Sequence, residues 1–282
     1  MVQGTASHVG KSIIVAALCR IFKQDGYSVA PFKAQNMASG YTLTDGSEIG
    51  GVQAVQAEAA GVQPSVYMNP VLLKPVGDSR SEVVVLGKPY ATMSAVDYYA
   101  VKDEMWNYVV DALNRLAGEH DVIVIEGAGG CAEINLSDRE IVNMRVALHA
   151  KAPVLLVGDI ERGGVFASLV GTMELLTMAE RSTVKAFIVN KFRGDIDILN
   201  PGLRQLEDRT GVPVAGVLPW FNDIYFPEED SLGRERVRPD GMAGMAEYDR
   251  LADIVRNSLD MDLIYDIAGL KKKLLKKRWG GP

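Results

Sequence analysis

The chain has 282 residues, of which 48% are hydrophobic and 23% charged, with a formal net charge of −6. That length suits one large α/β domain with an appendage, and the composition is that of an ordinary folded protein rather than a disordered or membrane-spanning one. The negative balance argues against general nucleic-acid binding, and the two cysteines, Cys19 and Cys131, form neither a disulfide framework nor a zinc pattern.

Residues 1–3 make a short first strand, and Gly4-Thr5-Ala6-Ser7-His8-Val9-Gly10-Lys11-Ser12 follows it. A glycine-containing loop that ends in Gly-Lys-Ser and opens an apolar helix at Ile13, Ile14, Ala17 and Leu18 has the pattern of a phosphate-binding loop. In such a loop backbone N–H groups turn inward around phosphate oxygens, Lys11 supplies a point charge, and the Ser12 hydroxyl suits Mg²⁺. The helix adds its positive dipole end. Gly4, Thr5, Val9, Gly10, Lys11 and Ser12 are therefore the candidate nucleotide contacts, with Lys11 also a candidate catalytic group. The pattern is irregular, because Thr5 stands where a glycine is usual and Gly4 lies one residue earlier. The first strand is short for a central one, so a clipped start is expected. With no signal peptide ahead of the loop and no run of about 18 apolar residues, the expected location is the cytoplasm, without a membrane span.

After Gly26, residues 28–32 read as a second strand that ends in Lys33-Ala34-Gln35-Asn36. Polar residues at the C-terminal ends of strands are where open α/β sheets hold ligands, which makes Lys33 a candidate for a phosphate or a substrate carboxylate, against the alternative of a surface lysine. Residues 38–51 read as a polar loop carrying Asp45 and Glu48, both candidate metal carboxylates. A helix over 53–60 and a strand over 69–75, ending near Lys74, come next. Residues 81–86 resemble a strand, and Ser94 caps a helix to about residue 117. Val122, Ile123, Val124 and Ile125 form an all-apolar run ended by Glu126, which is how a fully buried parallel strand reads, with its acid delivered at the C-terminal edge. Glu126 has a better claim on Mg²⁺ than either loop acid, and the glycines at 127, 129 and 130 allow close approach beyond it.

Residues 135–139 form a polar loop holding Asp138 and Arg139, and a helix follows over 141–149. A buried strand over 153–157 ends at Gly158-Asp159, and Arg162-Gly163-Gly164 opens another helix. Strands over 185–189, ending at Asn190-Lys191, and over 214–218 complete an alternation of strand and helix. The alternation predicts a parallel sheet covered by helices on both faces. Residues 226–246 break periodicity as a linker, and from 247 apolar residues recur at helical spacing into a C-terminal helical tail over 247–282. That tail ends in a basic run of Lys271, Lys272, Lys273, Lys276, Lys277 and Arg278, read either as a solvated helix end or as an amphipathic helix seeking an acidic surface.

Several strings together, Val2-Gln3-Gly4-Thr5-Ala6-Ser7, Pro31-Phe32-Lys33-Ala34-Gln35-Asn36-Met37, Asn69-Pro70-Val71-Leu72-Leu73-Lys74-Pro75, Ile125-Glu126-Gly127-Ala128-Gly129, Glu133-Ile134-Asn135-Leu136, Gly158-Asp159-Ile160-Glu161-Arg162-Gly163-Gly164 and Asn190-Lys191-Phe192-Arg193-Gly194-Asp195, resemble the cobyric acid synthase family. The resemblance covers roughly residues 1–232. It implies a phosphate-loop fold similar to dethiobiotin synthetase over 1–225 and ATP-dependent amidation of a corrinoid, a cobyrinic acid a,c-diamide, in cobalamin biosynthesis. It further implies that Lys11 and Ser12 serve ATP and Mg²⁺, that Glu126 serves Mg²⁺, and that Asn190 meets the adenine edge. Gln35, Asn36, Lys74, Asp138, Arg139, Asp159 and Arg162, with Lys33, lie in matching motifs and are implied to face the substrate.

The chain departs from that family's pattern where a class I glutaminase would follow the 227–232 segment, while residues 247–265 resemble the family's extreme C-terminus. The loop over 38–51 is shorter than usual, with Gly51 where an arginine is usual, and Gly130-Cys131 also departs. Without a cysteine on a nucleophile elbow, the chain is expected to use ammonia, free or from a separate glutaminase subunit. The sequence leaves a homodimer open. A rival reading is a partner-switching or non-catalytic ATPase of the same superfamily, although such switches usually carry a lysine where Ala6 stands.

Overall fold

The computed structural model describes residues 1–220 and 244–271. Its first half runs β1 (Val2–Gly4), α1 (Lys11–Gln24), β2 (Val29–Phe32), β3 (Gln35–Met37), β4 (Gly40–Thr42), β5 (Glu48–Gly50) and α2 (Gly51–Ala60). Next come β6 (Val71–Gly77), β7 (Arg80–Val85), β8 (Lys88–Ser94), α3 (Ala95–Glu119) and β9 (Val122–Ile125). The second half holds α4 (Met144–His149), β10 (Val154–Asp159), α5 (Val165–Leu175), α6 (Met178–Arg181), β11 (Val184–Phe192), α7 (Ile196–Thr210), β12 (Val214–Pro219), α8 (Met245–Ser258) and α9 (Met261–Ile267).

The apolar strands pair in parallel. β2 lies on β9, and β1 joins β10, β11 and β12 in turn. A parallel bridge between Val2 and Glu126, with Gly127 N–H donating to Val2 O at 2.9 Å, links the two groups in the order β2-β9-β1-β10-β11-β12. All six strands therefore end at the same edge, where the loops carry ligand-type side chains.

Side-chain alternation sorts the residues of the sheet onto two faces. Leu155 and Val157 of β10, with Ala186 and Ile188 of β11, bury against α1 and α8. Their neighbours Val154, Leu156, Phe187 and Val189 bury against α5 and α7. A third cluster packs α3 on β2, β6, β7 and β9. The expected parallel sheet with helices on both faces is thus present.

Four features differ from the sequence reading. The stretch over 38–51 contains an antiparallel hairpin, β4 on β5, rather than only loop. The strand expected over 81–86 is antiparallel to β6 and is followed by β8, which makes a small meander beside the parallel sheet. A helix, α7, occupies a stretch to which no element was assigned, because Pro201 inside it masks a buried stripe at Leu199, Leu203 and Leu206. Finally, α8 and α9 dock on the main core: Tyr248, Leu251, Ala252, Val255 and Leu259 share a cluster with α1. Most of the 226–246 linker and the basic end of the tail beyond Lys271 lie outside the described residues.

α8 and α9 are fastened by polar contacts as well. Arg20 Nε meets Asp249 at 2.7 Å, Arg256 reaches Asp25 at 2.8 Å, and the Tyr248 hydroxyl donates to Glu58 at 2.6 Å. Leu259 bridges to Gly216 on the outer strand β12, and Asp260 N–H donates to Ala215 O at 2.7 Å. No helix among the described residues is long and apolar enough to cross a membrane.

Candidate functional site

The loop between β1 and α1 sits at the common C-terminal edge of the sheet. Gly10 takes φ +96° and caps α1, and a Cβ there would stand 2.1 Å from the Asn190 amide nitrogen, so only glycine fits. Thr5 can replace the usual glycine because its backbone is not in the left-handed region; the non-glycine residue that takes that conformation is His8, at φ +60°. Thr5 N–H donates to Val157 O at 3.0 Å, which ties the loop to β10.

Lys11 does not project into an open loop. It is buried, and its Nζ donates to Ala6 O at 3.2 Å and to Gly129 O at 3.1 Å. The ammonium therefore spans the phosphate loop and the glycine loop after β9. Asn143, at the N-terminus of α4, sets that second loop: its amide accepts from Ala128 N–H at 3.0 Å and donates to Ala128 O at 2.8 Å.

Beneath the phosphate loop lies a fully buried ionic cluster. Glu126 and Lys33 are both 0% exposed, with Lys33 Nζ 2.9 Å from Glu126 Oε1. The Ser12 hydroxyl donates to the same oxygen at 2.8 Å. Gln56, on α2, donates to Glu126 Oε2 and to Ser12 O. Lys33 is thus no surface lysine; the backbone turn after β2 delivers it to the acid at the end of β9.

Ser12 Oγ and Glu126 are hard oxygen donors side by side, and the buried Gln56 Oε1 has no hydrogen-bond partner. That set fits Mg²⁺, which takes few protein oxygens and keeps several waters. Asp45 and Glu48 are not among the groups that meet Ser12 and Glu126. The hairpin turns Asp45 outward, where it accepts from Ser47, while Glu48 pairs with Lys74 at 2.8 Å. Among the described residues no three His, Cys, Asp or Glu side chains come together as a metal cage.

Asn190 is almost fully buried, and its amide is already committed at both ends. It donates to Val9 O at 2.8 Å and accepts from Lys191 N–H at 2.8 Å, holding the phosphate loop against β11. Lys191, at φ +63°, reaches His8 O at 2.6 Å and Asp159 at 2.9 Å. Trp220 stands beside it, with Arg193 4.2 Å from the ring centre.

A cavity of about 660 Å³ opens from Ala6 and Ser7 of the phosphate loop toward α3 and α4. Of the residues implied to face substrate, Gln35 and Asp138 line it. Gln35 Oε1 is held by the Tyr98 hydroxyl at 2.6 Å. Asn36 is buried on Gln53, Lys74 lies between Glu48 and Glu82, Arg139 turns onto the Tyr99 ring, Asp159 pairs with Lys191, and Arg162 is exposed in the loop before α5. Cys131 also lines the cavity, and burial pushes its thiol up from 9.0 to about 12. Sequence reasoning missed Gln56, Asn143 and Lys102. A signal existed for the first: Gln53 and Gln56 are polar residues three apart on an otherwise alanine- and valine-rich face.

The parallel sheet, the β1–loop–α1 unit and the lysine–serine–glutamate cluster define an α/β protein of the phosphate-loop NTPase type. Residues 1–232 match the CobQ/CobB/MinD/ParA nucleotide binding domain, and the chain belongs to that family. It is 60% identical over 250 residues to a cobyric acid synthase from Sorangium cellulosum, covering 88% of this chain and 48% of the relative. A cobyric acid synthase from Desulforamulus reducens is 54% identical, over 96% of this chain and 53% of its own length. The chain thus spans about half the length of the curated relatives it matches. Among solved structures it is similar to the MinD cell division protein of Aquifex aeolicus, at 14% identity and a TM-score of 0.47, over 95% of this chain and 93% of that one.

Proposed function

We propose that this chain is an ATP-dependent carboxylate–amine ligase, the synthetase part of a cobyric acid synthase, acting on a cobyrinic acid a,c-diamide with ammonia as the nitrogen source. The observation that carries the reading is the buried cluster of Ser12, Glu126 and Lys33 directly under the phosphate loop, in a chain 54% to 60% identical to relatives of that name.

The chemistry has two steps. A substrate carboxylate oxygen attacks the γ-phosphorus of ATP and ADP leaves, giving an acyl phosphate. Ammonia then attacks the acyl carbon, phosphate departs with its bonding electrons, and a proton is lost from nitrogen to leave the amide. There is little covalent work for the protein, so its part is positioning and charge neutralisation. Lys11, drawn off the Ala6 and Gly129 carbonyls, would bind the outer phosphates. Lys33 would hold the attacking carboxylate or the transferring phosphoryl group. Ser12 and Glu126 would hold Mg²⁺, which supplies charge neutralisation at the phosphates when bound.

The test is phosphate release from Mg-ATP with ammonia, with and without cobyrinic acid a,c-diamide, followed by mass spectrometry. Substrate-dependent release with the mass change of amidation is expected. ATP turnover indifferent to the corrinoid would reject the reading in favour of a switch ATPase.

A further inference from the structure

The cavity that leaves the phosphate loop is walled on its far side by α3, and Lys102 projects into it from that helix. Lys102 is half-buried and has no carboxylate within ion-pair distance among the described residues; its ammonium lies over the Tyr99 ring, 5.1 Å from the ring centre. Of the other charged residues that line the cavity, Arg145, Asp103, Glu140 and Glu180 have partners, while Glu133 and Asp138 are exposed carboxylates. Arg145 pairs with Asp103 at 3.2 Å and lies over Trp106. The Glu140 carboxylate accepts from the backbone N–H groups of Val142, Asn143 and Arg145 at the start of α4. Burial lowers the lysine's proton affinity from its usual value, and the Glu140 charge opposes that shift, as an added anion would.

The same cavity is bordered by exposed apolar side chains, Ile134, Leu136, Leu148 and Leu175. A wall that combines an uncommitted ammonium with a broad apolar rim matches a ligand with acidic arms on a large apolar frame. It does not match a small hydrophilic acid, which would leave the rim in water.

We infer that Lys102 is a carboxylate anchor: it grips one acidic arm of a polycarboxylate while a second arm is presented to the phosphate loop at Ala6 and Ser7. This rests on the proposed ligase reading and deepens it, because the arm held by Lys102 then decides which other arm reacts. Lys102 is a specificity-determining residue in that scheme and takes no part in bond making.

The experiment compares the wild-type chain with Lys102→Gln, Lys102→Ala and Lys102→Arg. Binding of cobyrinic acid a,c-diamide is followed by calorimetry in the presence of a non-hydrolysable Mg-ATP analogue, and affinity for that analogue alone serves as the folding control. Both neutral variants should bind the corrinoid about 10- to 100-fold more weakly, the size of one charge-assisted hydrogen bond, with nucleotide affinity retained. The arginine variant should keep most of the affinity. In turnover the loss should fall on KM, and the neutral variants should scatter amidation over different carboxylates. Wild-type binding matched by Lys102→Gln and Lys102→Ala would overturn the anchor while leaving the ligase reading intact. A wild-type chain that neither binds nor amidates the corrinoid would bring down the ligase reading and the anchor with it.

Discussion

At the scale of single residues, the site is organised by one buried carboxylate. Glu126 is held by a hydroxyl, an ammonium and an amide, and two of these, Ser12 and Gln56, come from the paired helices α1 and α2. Removing its charge breaks the ion pair that the buried Lys33 Nζ makes with it at 2.9 Å. Glu126→Gln should therefore lower stability by about 3–5 kcal/mol in urea denaturation, and adding Lys33→Met should recover most of it. A double variant no more stable than Glu126→Gln would show that the pair is not the source. Both variants should lose turnover. Lys11 has a different balance, because its hydrogen bonds go to carbonyls at the rim of the loop. Lys11→Ala should bind Mg-ATP about 100-fold more weakly or worse by calorimetry, on the scale of one or two charge-assisted hydrogen bonds lost. Unchanged affinity would remove the loop from the nucleotide site.

At the scale of elements, α1 connects the site to the rest of the molecule. Its N-terminus carries Lys11 and Ser12, while its C-terminal half is gripped by α8 through Arg20 with Asp249 and through Arg256 with Asp25, Gln24 and the Ile21 carbonyl. These contacts are partly exposed, so Arg256→Ala should cost only about 1–2 kcal/mol, with a smaller effect at high salt. A denaturation midpoint equal to wild type would mean that α8 docks through its apolar face alone. Arg20 first, and then Gln24, hold the Asp249 carboxyl below its usual value of 3.8. The folded state thus binds fewer protons there than the unfolded chain, so this contribution is fully present above that value and is lost as pH falls below it. Stability measured from pH 6 down to pH 3 should show the gap between wild type and Asp249→Asn closing.

At the scale of the whole molecule, both cysteines are buried, and burial raises both thiols; for Cys19 the Glu126 charge adds to the effect. Neither provides a thiolate near neutral pH. The chain should accordingly release no glutamate from glutamine, and iodoacetamide should leave Cys131 unlabelled in the native protein at pH 8. Glutamate release that is lost in Cys131→Ser would contradict this. How much was legible in advance follows the range of the interactions. The phosphate loop could be read because its chemistry is contained in nine consecutive residues, and Glu126 because an apolar strand ended in one acid. Lys33 could be placed at a strand end, yet its partner lies 93 residues away in sequence, on a different strand. Asp45 and Glu48 ranked below Glu126 as metal carboxylates but stayed candidates in the sequence, and the β4–β5 hairpin, which aims them at Ser47 and Lys74, takes them away from it. Hydrophobic periodicity, turn chemistry and contiguous motifs are local, so the sequence alone determined the alternation of strands and helices, the parallel sheet and the phosphate loop. Which polar side chains meet at the edge of the sheet depends on strand order and helix docking, and these arise from burial summed over the whole chain. That is why only the tertiary structure brought Gln56 to Glu126, turned Lys11 onto the glycine loop, and set Lys102 in the wall of the cavity.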